Sequence, residues 1–171
     1  IPLTIRSRCQ HVAFGPLTEE ELTRFFRASG LDDDRAARVG MVAQGSIQSA
    51  LFWLDDGNFT LRQKVADLLL GPKKSFHRIT LCSEQLSEDS RKIPMFLYFL
   101  LSLFRDLYVL SVTGEMEKVA NKDLGDLLRS GDFDRNRILS AIESVHESIR
   151  NLRYNVNRMV LIEGLLLRLT R

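Results

Sequence analysis

Cysteine is scarce in this chain of 171 residues, with only Cys9 and Cys82, far apart and in no C-x-x-C pair. That excludes a disulfide scaffold and a four-ligand zinc site. Proline (4 residues) and glycine (10 residues) are also few, so the backbone meets few forced breaks. Catalytic signatures are missing as well. There is no H-E-x-x-H, no phosphate-cradling G-x-x-x-x-G-K-[ST] and no G-x-G-x-x-G. His11, His77 and His146 are scattered, without a nucleophile or carboxylate at useful spacing, and read as ordinary surface or partly buried histidines. Asp32-Asp33-Asp34 puts three adjacent carboxylates at a helix start. They point in different directions, so the helix dipole accounts for them better than a metal does. No complete active site is recognisable.

An excess of one charge is absent too. The chain holds 24 Lys+Arg against 22 Asp+Glu, a net charge of +2, which by itself argues for neither DNA nor an anionic membrane. The charge is uneven, −2 over residues 1–60 and +4 over residues 61–171, as two solvated surfaces would be. The longest apolar run, Met95 to Phe104, is about half a membrane span and stops at Arg105-Asp106. With no signal peptide, the chain reads as cytoplasmic. It begins Ile1-Pro2-Leu3 without a starting Met and reads as part of a longer protein.

What is present is leucine. There are 28 Leu against 10 Val and 9 Ile, a bias toward helix. Hydrophobic residues at 44% and charged residues at 27% make a normal globular balance. Thr18-Glu19-Glu20-Glu21 predicts a capping box, with Leu22, Phe25 and Phe26 on one apolar face and Gly30 as terminator. Asp32–Asp34 starts a second helix carrying Val39, Val42 and Ala43, which stops at Gly45. Ser46 caps a third, Ile47 to Asp55, with Leu51, Phe52 and Leu54, and Asp56-Gly57-Asn58 reads as a break. Together these make a small three-helix bundle.

Further helices are expected over residues 60–70, 73–86 and 88–112, the last apolar all round and so central. Pro94 marks either a kink or the true first turn. Residues 115–131 are polar, with one short helix around Leu124, Leu127 and Leu128. Ile138, Ile142, Val145, Ile149, Leu152 and Val156 are spaced 4, 3, 4, 3, 4 and predict one continuous helical stripe. Asn155-Val156-Asn157 interrupts before a final helix, Met159 to Leu169. The only strand-like stub is His11 to Phe14. The fold class is therefore all-α.

Thr4-Ile5-Arg6-Ser7-Arg8-Cys9 does not look like filler, although composition alone makes it a basic tail. Ser7-Arg8-Cys9, with Pro2 and Thr4 before it and a turn into a helical bundle after it, resembles the motif of the clamp-loader branch of AAA+ ATPases. There an ATPase core precedes a three-helix lid and a helical collar, and the Ser-Arg-Cys arginine reaches ATP held by the neighbouring subunit. Gly45-Ser46-Ile47-Gln48-Ser49-Ala50-Leu51 is similar to the start of the lid's third helix. ATP-binding members carry a phosphate-sensing arginine where this chain has Gln48. An uncharged amide cannot make the charge-assisted bidentate bond of an arginine. Within the branch the chain thus resembles the delta-prime subunits of bacterial DNA polymerase III more than gamma/tau. The ending, Ile149 to Leu152 and Asn157 to Leu169, resembles the last two collar helices.

The resemblance implies that residues 1–16 end the AAA+ core, residues 17–57 form the lid and residues 58–171 the collar. It implies a stator without ATPase activity, accessory to the DNA-directed DNA polymerase III holoenzyme (a nucleotidyltransferase complex). Arg8 would be an arginine finger in trans, Ser7 would orient its loop, and Cys9 would be a small packed residue. No cofactor is expected in this chain, since ATP would be bound next door. Expected partners are gamma/tau and delta through the collar, and the sliding clamp and primer-template DNA through the complex. No membrane is involved, and the location is cytoplasmic, with the nucleoid. Two alternatives remain, an ATP-binding gamma/tau-type subunit and a helical interaction scaffold with no ATPase role.

Overall fold

The computed structural model describes residues 3–10, 12, 14–72, 74–130, 134–154 and 156–170. Every regular element among them is helical. A single turn, α1 (Leu3–Arg6), comes first, and the described residues between it and Thr18 belong to no regular element. Thr18 Oγ1 accepts from Glu21 N at 3.2 Å, and Thr18 N donates to Glu21 Oε2 at 2.8 Å. This reciprocal box satisfies two otherwise orphaned donors and starts α2 (Glu19–Ala28). Asp32 Oδ1 accepts from Arg35 N at 2.9 Å and starts α3 (Asp33–Val42). Asp33 pairs with Arg27 Nε at 2.7 Å. Ser46 Oγ accepts from Ser49 N at 3.2 Å and starts α4 (Ile47–Trp53).

These three helices close on Leu22, Phe26, Ala36, Val39, Ala43 and Ala50. The small residues let the helix axes approach closely. At Gly40 a Cβ would collide with Thr23 Oγ1 on α2. Phe25 lies 46% exposed, and Leu51 58%. Counting Phe25 and Leu51 among the apolar residues thus overstates the buried faces. Trp53, which the sequence pattern did not single out, is 3% exposed.

The larger body comprises α5 (Asp56–Leu70), α6 (Phe76–Ser87), α7 (Lys92–Thr113), α8 (Gly125–Ser130), α9 (Arg135–Asn151) and α10 (Arg158–Leu169). Helix α7 packs against α5, α6 and α9, while α10 covers α6 and α9. Its Phe96 and Phe99 meet Trp53 edge to face, with centroids 5.4 and 6.0 Å apart, so the large core reaches into the small bundle. Pro94 lies in the first turn of α7, where its missing N–H costs nothing.

Several expectations change. Asp56-Gly57-Asn58 is not a break but the first turn of α5. Asp55 Oδ1 caps it by accepting from Asn58 N at 2.9 Å. The apolar stripe is not continuous. Helix α9 ends at Asn151, Val156 lies beyond it at 38% exposure, and Ile142, Ile149 and Leu152 are only partly buried. Ile138 and Val145 are its buried centre. Of the strand stub and the interruption at 155–157, His11, Ala13 and Asn155 lie outside the described residues, as does Pro2. Val12 and Phe14 are in no strand.

The apolar run Met95 to Phe104 stops at Arg105-Asp106, but its helix continues to Thr113, close to the expected end. All 22 residues of α7 form one helix, long and apolar enough by length and composition to cross a membrane. Half of its most apolar stretch is nevertheless buried inside the fold. Asp106 near its end is fully enclosed and hydrogen-bonded. A fold centre accounts for both features.

Candidate functional site

Ser7, Arg8 and Cys9 follow α1 on an exposed turn. Arg8 N donates to Ile5 O at 3.1 Å, and Ser7 Oγ donates to Thr4 O at 3.2 Å. Both bonds satisfy carbonyls at the end of the helical turn. Ser7 therefore shapes the loop, and the Arg8 side chain stands in solvent, with no ion-pair partner among the described residues. An arginine keeps its charge at any working pH and presents a rigid fork of donors. Cys9 is exposed, not packed. Gln48 sits exposed in the first turn of α4. Among the described residues no hydrogen bond joins it to residues 4–9.

The most connected polar site lies elsewhere and was not foreseen. Arg62 of α5, 1% exposed, pairs with Asp123 and donates through Nη2 to Asn121 Oδ1 at 2.7 Å. Its guanidinium lies 4.7 Å from the Phe99 ring centroid. Asn121, also 1% exposed, donates through Nδ2 to Asp106 Oδ2 at 2.7 Å and to Ser102 Oγ at 2.9 Å. Asp106 is fully buried and accepts from the backbone N–H of Ala120 and of Asn121, at 3.1 and 2.8 Å. Ser102 Oγ accepts in addition from Gln44 Nε2. Burying such groups is tolerable only when their hydrogen bonds are made. Here they pin the irregular segment after α7 to the core. The partners of Arg62 lie about sixty positions away in sequence, so no local spacing could have exposed them.

Titration contributes little. Burial pushes the Cys82 thiol up, as for an inert packed cysteine. The Thr18 backbone N–H, and then its hydroxyl, hold Glu21 below its ordinary range. Hydrogen bonds from Arg91 hold Asp89 down to about 2. No group of three His, Cys, Asp or Glu side chains suited to a metal occurs among the described residues. A cleft of about 260 Å³ lies between α9 and α10, with Arg137, Ser140, Ser144 and Arg168 on its walls. Arg168 is already engaged by Glu147 at 3.0 Å.

The described residues thus form an all-helical body built on a central apolar helix. A family model described as DNA polymerase III, delta subunit, C terminal matches residues 58–171. The chain belongs to that family: it is a C-terminal region of a DNA polymerase III clamp-loader subunit. As such it serves DNA replication as an accessory part of the polymerase and assembles with other clamp-loader subunits. Neither a curated protein nor a solved structure matches the chain.

Proposed function

We propose that this is a delta-prime-type subunit, a stator that hydrolyses no ATP and supplies Arg8 to ATP bound by a neighbour. The observation that carries the reading is order along the chain. An exposed Ser7-Arg8-Cys9 turn comes first, then a three-helix bundle whose third helix carries Gln48 in place of a phosphate-sensing arginine, then the body that the family model covers. On this reading residues 1–16 end the AAA+ core, residues 17–57 are the lid and residues 58–171 the collar. The collar holds gamma/tau and delta, the ring acts on the sliding clamp and primer-template DNA, and the work is cytoplasmic.

The chemistry follows from charge. Phosphoryl transfer is assisted by positive charge placed against the phosphate oxygens, and an arginine given in trans is worth about 10³–10⁵ in rate in GTPase systems. Arg8 has the exposure and the free fork that such a role needs.

The test is Arg8→Ala in the full-length protein within a reconstituted clamp loader. DNA-stimulated ATP hydrolysis should fall at least tenfold while ring assembly is unchanged. Arg6→Ala, outside the Ser-Arg-Cys core, should cost clearly less. Equal losses from both would mean a diffuse basic patch and would sink the finger assignment.

A further inference from the structure

The turn between α3 and α4 is built in an unusual way. Gln44 adopts φ +51° and Gly45 φ +81°. A left-handed backbone crowds the Cβ of any residue but glycine against its own carbonyl, so something must hold Gln44 there. On one side the turn is gripped by the entry to the bundle. Leu17 N donates to Gly45 O at 3.0 Å, and a Cβ on Gly45 would sit 2.9 Å from Leu17 O. On the other side Gln44 Nε2 donates to Ser102 Oγ on α7. Ser102 also accepts from Asn121, which is tied in turn to Asp106 and Arg62.

We infer that Gln44 is a lock: its side-chain bond to Ser102 extends the buried polar network of the body into the α3–α4 turn and fixes how the small bundle sits on α7. The apolar contacts of Trp53 with Phe96 and Phe99 supply adhesion across this junction. Apolar contact is non-directional, whereas a hydrogen bond from a single amide to a buried hydroxyl sets one orientation. Two short segments depend on the turn directly. Leu17, on the path from Arg8 to α2, hangs on Gly45 O. Ser46, the cap of the helix that carries Gln48, follows immediately and donates to Ala43 O at 3.1 Å. Gln44 is thus a positioning residue for both ends of the bundle. This lock is a feature of the fold whether or not Arg8 acts on a neighbour's ATP.

The test is hydrogen exchange on the chain carrying Gln44→Leu, Ser102→Ala, and both together. One hydrogen bond is worth a factor of roughly 2–10 in a local opening equilibrium. Exchange of the Leu17 and Ser46 amides should therefore quicken by that factor in each single variant, while amides within α9 keep their parental rates. Because the two changes break the same bond, the double variant should exchange no faster than the quicker single one. Multiplying effects in the double variant, unchanged Leu17 and Ser46 rates, or a uniform rise that includes α9 would each overturn the lock. Ser102→Ala removes one buried oxygen and leaves Asn121 its bond to Asp106, and Gln44→Leu lies on the rim, so one of the two reports even if the other folds poorly.

Discussion

The bundle of α2–α4 and the body of α5–α10 are both helical, but they solve the problem of enclosure differently. The bundle is dry inside: its centre is Leu22, Phe26 and Val39 set among alanines. The body holds every buried polar or charged side chain found among the described residues, from Asn58 and Arg62 to Ser148. The difference follows from chain path. Tight turns join α2 to α3 and α3 to α4, so the bundle's backbone N–H groups are used by helices and caps. In the body the chain leaves α7 at Gly114 and runs against the core through two short 3-10 turns, Met116–Lys118 and Lys122–Leu124, with Val119, Asn121 and Leu124 buried. Backbone N–H groups buried along such a path need partners from side chains, and Asp106 provides them for Ala120 and Asn121. A buried carboxylate here substitutes for regular secondary structure.

The largest effect should come from breaking the apolar centre of the body. Val145 is fully buried in α9. Val145→Asp places an unpaired charge there at a cost on the order of 5 kcal/mol, comparable with the whole net stability of a domain. Far-ultraviolet circular dichroism should show extensive loss of helicity, and capture by clamp-loader partners should fail. A parental melting curve would mean that α9 is not a core helix.

A smaller and more local effect is expected from the polar network. Asp106→Leu leaves the N–H groups of Ala120 and Asn121 without their acceptor, costing about 3 kcal/mol. Limited proteolysis should then cut within residues 115–124 before it cuts the bundle. Cleavage starting in α2–α4 would contradict the contrast between the two regions.

The smallest effects belong to the bundle's surface. Thr18→Ala removes the capping hydroxyl of α2 and should cost about 1 kcal/mol in thermal or urea unfolding. Acid provides a second test of the same cap. The folded value of Glu21 is held below its ordinary 4.5, so its contribution is present above that value and disappears as pH falls through the lowered one. Melting temperatures followed from about pH 6 to about pH 2 should show this loss in the parent. In Glu21→Gln, which keeps the capping geometry without a titrating group, the increment should be absent.

Local chemistry was legible without the structure. Thr18 and Ser46 were readable as caps because a cap joins residues three apart, Asp32–Asp34 as a helix start because of its charge, and Pro94 as a first turn or a kink because its constraint is its own ring. Where sequence reading slipped, a tertiary or competing local interaction outweighed the expected one. Asp55 captures Asn58 N and carries Gly57 into α5, so a residue pair that favours turns starts a helix. The spacing that ran to Val156 says which residues share a face, not where the helix stops. The exposure of Arg8 and Cys9 likewise needed the folded chain.

By itself the sequence determined the helical class and the starts of the three bundle helices, since these depend on neighbours within a few residues. Only the tertiary structure decided that Arg62, Ser102, Asp106 and Asn121 form one buried cluster and that Gln44 joins it. Their attraction requires groups far apart in the chain to meet where water is excluded, and that condition exists only once the helices have packed.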